Sequence, residues 1–222
     1  MSKKKYYLFQ LKPFELNVVS LLLIVLMFLI TAALRVPFDL GDKGFALVFA
    51  FMIPYFILHE ILHSISYVLN GADFKKVTYG AHLEKGVLCC LCKQNITRRN
   101  ILCSLLFPFV IIGVITYIIG ILINSPVLIL LSIMNISGCS GDLMMFLALS
   151  KLKNYEYSEY DDPTSFGLYT NEDLSNKKFF GIKYVGTSDK LDRDDLKKLD
   201  INRGNIILLS VIVVLGIVLL FL

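Results

Sequence analysis

Charge is scarce in this chain: only 18% of its 222 residues are Asp, Glu, Lys or Arg, while 56% are hydrophobic. An ordinary soluble domain carries about 25% charged and about 45–50% apolar residues. That deficit excludes a water-soluble core protein. The 22 bases and 18 acids are crowded into a few short stretches, leaving long uncharged runs between them, which is the pattern of a polytopic membrane protein. The bases flank apolar runs and form no aromatic-interleaved patch, so no nucleic-acid partner is expected. With about half the chain committed to apolar runs, no separate catalytic ectodomain fits.

Disulfide scaffolding is also missing. The five cysteines, Cys89, Cys90, Cys92, Cys103 and Cys139, are odd in number and three of them fall within four residues, unlike a secreted disulfide framework. Cys89, Cys90 and Cys92 lack CxxC spacing and have no second pair, so no structural zinc site is expected there. His82 in the same loop reads as a plain surface histidine. No cleavable signal is read at the N-terminus, because the apolar run after Lys3, Lys4 and Lys5 continues for about 20 residues, against about 7–15 in a signal h-region. No internal repeat is visible.

Five segments are long enough to cross a hydrocarbon core, which takes about 20 helical residues: approximately 14–34, 44–69, 100–123, 127–149 and 204–222. The expected fold class is an all-α polytopic membrane protein, one membrane domain over residues 1–222 with about five transmembrane helices. Between the spans, residues 70–99 are expected to form a small cytoplasmic β-hairpin around Glu84-Lys85-Gly86, and residues 150–203 a cytoplasmic linker. Counting Lys and Arg through the successive non-membrane segments gives 4, 2, 6, 0 and 10. The positive-inside rule then places the N-terminus in the cytoplasm and the C-terminus outside. Asn95-Ile96-Thr97 matches a glycosylation acceptor but falls on the cytoplasmic side, where that reading fails.

Within these spans, apart from Glu15 at an edge, the only acidic side chains are Glu60 and Asp142 and the only histidines are His59 and His63. A charge at the centre of a bilayer costs about 2.5–3.5 kcal/mol on the most lenient scale, so such residues are functional candidates. His59-Glu60-Ile61-Leu62-His63 is an HExxH motif. Histidines at i and i+4 share a helix face, where both imidazoles reach one metal and the intervening glutamate reaches its water. A catalytic zinc takes three protein ligands and leaves one position open. Asp142 is the remaining intramembrane carboxylate. Counted from the cytoplasmic ends of their spans, His59, His63 and Asp142 lie at depths of about 16, 10 and 12 Å, at about 1.5 Å per residue. The expected site is therefore His59, His63 and Asp142 as metal ligands with Glu60 as catalytic base. Cys139 is an alternative thiolate donor, disfavoured because a fourth protein ligand would close the site to water. Gly138, Ser140 and Gly141 allow either close helix packing or an opened backbone.

HEILH on the second span, Leu106-Phe107-Pro108-Phe109 on the third and NISGCSGD over 135–142 resemble the site-2 protease group of intramembrane zinc metalloproteases. The resemblance is closer to a family of small bacterial membrane proteins described as zincin peptidases, and it covers roughly residues 45–149. It implies Zn2+ as cofactor, a membrane-protein substrate and the bacterial cytoplasmic membrane as location, and it assigns His59, His63, Glu60 and Asp142 the same roles. The family's Asn-Pro-Asp-Gly signature is not kept: Leu143 follows Asp142, and no proline stands nearby. The expected function is a zinc-dependent intramembrane endopeptidase that cuts a peptide bond in or near a transmembrane segment. The alternative is a non-enzymatic membrane protein, an assembly factor or transporter-like component, with a structural or vestigial metal site.

Overall fold

The computed structural model describes residues 4–82, 87–159 and 164–188. Its helices are α1 (Pro13–Ala33), α2 (Gly41–Leu69), α3 (Arg98–Pro108), α4 (Thr116–Leu122), α5 (Pro126–Gly138) and α6 (Ser140–Ser150). A π-helical stretch, Phe109–Ile115, joins α3 to α4. Pro13 and Pro126 open α1 and α5 in the first turn, where a missing N–H costs nothing. The Ser125 hydroxyl caps α5 by accepting from the Leu128 amide. Among the described residues, three helical segments are long and apolar enough to cross a membrane: Pro13–Ala33, Gly41–Leu69 and Arg98–Leu122. A fourth crossing results if α5 and α6, bent by 46° at their junction, count as one. Leu21, Leu22 and Leu29 of α1 and Phe49 of α2 are exposed, as lipid-facing side chains are. The expected fifth span, 204–222, and the external C-terminus derived from it lie outside the described residues.

The expectation of an all-α protein is overturned by seven strands: β1 (Lys5–Leu11), β2 (Val77–His82), β3 (Val87–Cys92), β4 (Ile96–Thr97), β5 (Glu156–Glu159), β6 (Ser165–Thr170) and β7 (Ile182–Ser188). Five of them form an antiparallel sheet in the order β4-β5-β6-β1-β7. Residues 5–11 of the N-terminal arm and residues 156–159, 165–170 and 182–188 of the expected linker thus share one sheet. β1 reads KYYLFQL and buries Tyr6, Tyr7, Phe9 and Leu11, which is a sheet former between two surfaces. It pairs with β6 from Lys5↔Thr170 to Gln10↔Ser165 and with β7 on its other edge. Phe9 lies at its centre, with ring centroids 5.7 Å from Phe166, 5.8 Å from Phe179 and 5.8 Å from Tyr184. β2 and β3 pair antiparallel from Val77↔Cys92 to His82↔Val87, at the place of the expected hairpin.

The sheet is continuous with the helical core. Phe9, Leu11, Phe166 and Leu168 share one buried cluster with Tyr67 of α2, Ile101 and Leu105 of α3, and Met144, Met145 and Leu149 of α6. Arg98 ties the layers together, donating from Nε to the Leu152 carbonyl at 2.7 Å and from Nη2 to the Ser150 carbonyl at 3.0 Å. These contacts satisfy carbonyls at and beyond the C-terminal end of α6. The sheet therefore sits as a roof on one end of the helices.

Candidate metal centre

His59, Glu60 and His63 lie on α2, five to nine residues after its internal Pro54. Asp142 lies in the first turn of α6, directly after the break at Cys139. The helix stops and restarts there, three residues before the carboxylate that meets the two histidines of α2. Gly138 and Gly141 flank the break and both line the cavity at the site. Asp142 Oδ2 is 3.3 Å from His59 Nε2 and 3.5 Å from His63 Nε2, and the two Nε2 atoms are 3.0 Å apart. The structure thus brings together the three residues singled out by motif and depth.

The opposite edge of each ring has its own partner. His59 Nδ1 lies 2.9 Å from Asn135 Oδ1, and His63 Nδ1 lies 3.0 Å from the Ser104 carbonyl oxygen. Both partners accept, so each Nδ1 carries the proton and each Nε2 presents a lone pair toward the centre. In that tautomer two imidazole lone pairs and a carboxylate oxygen converge on one point. That arrangement fits a cation: a tetrahedral metal with bonds of about 2.0–2.1 Å sets its ligand atoms about 3.3–3.4 Å apart. Outer acceptors that fix the ring and its tautomer are the usual companions of metal-binding histidines.

A second donor set is looser. His59, Cys139 and Asp142 offer ligand atoms within 4.8 Å of one another, against 3.0–3.5 Å for the set with His63. The Cys139 thiol is 3.9 Å from His59 Nδ1, the nitrogen on the far edge of the ring from Asp142. Asn135 Nδ2 also donates to this sulfur at 3.7 Å. Cys139 therefore packs behind His59, and its side chain completes the surroundings of the ring.

Glu60 lines the same cavity as His59, His63 and Asp142, and the Cys90 backbone amide of β3 donates a hydrogen bond to its carboxylate. The cavity has a volume of about 260 Å³. Its walls come from Leu16 of α1, Tyr67 of α2, Leu105 of α3 and Met145 of α6, from β3 through Cys89 to Leu91, and from the sheet through Leu11, Tyr157 and Ser165. Among the described residues, no Lys or Arg lines it. Sequence reasoning passed over Asn135 and Ser104. Asn135 has a visible signal as the only amide side chain between Val127 and Leu149, whereas a backbone carbonyl such as that of Ser104 has none.

An HExxH helix joined by an acid from a second helix defines a candidate metallopeptidase centre. A family model described as "Putative zincin peptidase" matches residues 51–157, a stretch that contains every residue of this centre. The match points to a zinc metallopeptidase. No curated protein and no solved structure matches the chain.

Proposed function

We propose that the chain is a zinc-dependent intramembrane endopeptidase. The observation that carries this reading is the convergence of His59 Nε2, His63 Nε2 and Asp142 Oδ2 at 3.0–3.5 Å, on helices apolar enough for a bilayer, beside a glutamate in one cavity. His59, His63 and Asp142 would hold the ion. Bound zinc supplies Lewis-acid polarisation of a carbonyl and makes a water nucleophilic near neutral pH. The Glu60 carboxylate accepts the proton of the attacking water and passes it to the leaving amide nitrogen. The Cys90 amide holds that carboxylate toward the cavity.

Three features bear on the substrate. Among the described residues the cavity has no cationic side chain to bind a terminal carboxylate, which favours internal bonds over C-terminal trimming. Its apolar walls suit an uncharged segment, and the neighbouring β2–β3 pair offers a strand against which an unwound substrate could lie. The sheet roofing the cavity combines β1, before the first span, with β4, after α2, and β5 to β7, after α6. That pairing is satisfied when an even number of crossings separates them, and these segments carry most of the bases. We therefore infer that the sheet and the N-terminus face the cytoplasm of a bacterial cell and that cleavage occurs toward that side, in a membrane-protein substrate.

The test compares the membrane proteomes of cells carrying the wild-type protein and Glu60→Gln. An intact membrane protein should accumulate only with the variant, while the purified variant keeps its zinc. Identical proteomes and full retention of cellular function in Glu60→Gln would contradict the proposal.

A further inference from the structure

Asn135 of α5 sits at the meeting point of three helices. Its Oδ1 lies 2.9 Å from His59 Nδ1, its Nδ2 donates to the Pro108 carbonyl oxygen at 3.4 Å, and the Cys139 thiol is 3.7 Å from the same nitrogen. The residue is 1% exposed, so water does not compete for these groups. The Pro108 oxygen has no proton to give, which decides the orientation of the amide: NH2 toward Pro108 and oxygen toward His59. With the oxygen there, His59 must carry its proton on Nδ1.

The backbone is shaped to make this contact. Pro108 marks the point where α3 gives way to the π-helical stretch Phe109–Ile115, a local widening that occurs often at functional sites. Gly113 in that stretch lets α5 approach: a Cβ there would stand 2.9 Å from Ile136 Cγ1 and 3.4 Å from Asn135 Nδ2. One turn further, the Tyr55 hydroxyl donates to the Ile112 carbonyl at 2.7 Å, and Thr116 Oγ1 lies 2.7 Å from Ser132 Oγ. These contacts fix α2, the π-helical stretch and α5 against one another. His63 receives the same service from a backbone carbonyl, which no side-chain substitution removes.

We propose that Asn135 is a positioning residue for the metal centre: its carboxamide oxygen holds the Nδ1–H of His59 and so presents Nε2 as the free lone pair. The role rests on the zinc reading above, and it is a matter of acceptor chemistry rather than packing. Loss of an outer-shell acceptor typically weakens metal binding by about 10–100-fold.

The experiment uses the full chain in detergent micelles, with zinc affinity measured by chelator competition and the histidine tautomer by NMR of 15N-histidine-labelled metal-free protein. Three histidines keep the spectrum assignable with a His63→Ala reference. Asn135→Leu keeps the volume but removes the acceptor; it should weaken zinc binding by about 10–100-fold and release His59 from the Nδ1–H tautomer. Asn135→Asp restores an acceptor and should return both readouts toward wild type. If Asn135→Leu does not fold, Asn135→Ser, too short to reach His59, takes its place with the same expectation. Wild-type affinity in the acceptor-free variant, or equal weakening in Asn135→Leu and Asn135→Asp, overturns the proposal. If the wild-type chain binds no zinc, the metal reading fails by itself, and an unchanged His59 tautomer in Asn135→Leu overturns the positioning role separately.

Discussion

His59 Nε2 and Asp142 Oδ2 lie 3.3 Å apart, and they do so because α5 and α6 are two helices bent by 46° rather than one. Asp142, in the first turn after the break at Cys139, has its carboxylate on the side of the His59 imidazole that faces His63. Cys139 itself is left on the other side of the ring. The junction thus sorts two potential donors, three residues apart in sequence, into a member of the centre and a neighbour behind it.

Substituting Cys139 tests that sorting. Cys139→Ser removes the thiol while leaving His59, His63 and Asp142 in place. Zinc bound per chain, measured by atomic emission on the purified protein, should equal that of the wild type. Loss of the metal would show that the looser set of His59, Cys139 and Asp142 is the one used.

Gly113→Ala probes the close approach of α5. The added methyl meets Ile136 Cγ1 at 2.9 Å, closer than carbon atoms pack, so α5 must shift. Overpacking of this kind costs typically about 1–3 kcal/mol, visible as a lower unfolding temperature. Because Asn135 is the next atom in the way, zinc affinity should fall as well. A variant as stable as wild type would show that the π-helical stretch and α5 are not tightly coupled.

Tyr155 supplies a pH dependence outside the membrane helices. Its hydroxyl is buried with no hydrogen-bond partner among the described residues, and burial pushes its pKa well above the usual phenol range, making it a weaker acid, with the nearby Arg98 charge pulling the other way. The folded state therefore keeps the proton after the unfolded chain, near pH 10, has released it, and stability falls as pH rises above that point. Tyr155→Phe should be neutral or up to about 1 kcal/mol more stable at pH 7 and should lose part of the alkaline decline. Thermal unfolding of both proteins across pH 8 to 11 checks the slopes; parallel curves would contradict the account.

The centre was more legible in the sequence than the fold around it. HEILH carries its own geometry, since i and i+4 share a helix face whatever surrounds them, and Asp142 stands out because a bilayer tolerates so few charges. Those two facts suffice to group His59, His63 and Asp142. The sheet was hidden for a different reason: β1, β5, β6 and β7 are four to seven residues long, each is flanked by charge, and β1 finds its partners at the opposite end of the described chain. A window wide enough to detect a transmembrane helix averages such strands away. The break at Cys139 was half legible, since Gly138, Ser140 and Gly141 allow an opened backbone as well as close helix packing, whereas nothing in the sequence marked the π-helical stretch.

Metal analysis of the purified chain addresses the central claim most directly. Wild-type protein should hold one zinc per chain, and His59→Ala and Asp142→Asn, each checked for an unchanged helical spectrum, should hold far less. Undiminished stoichiometric zinc in both variants would contradict the centre described here.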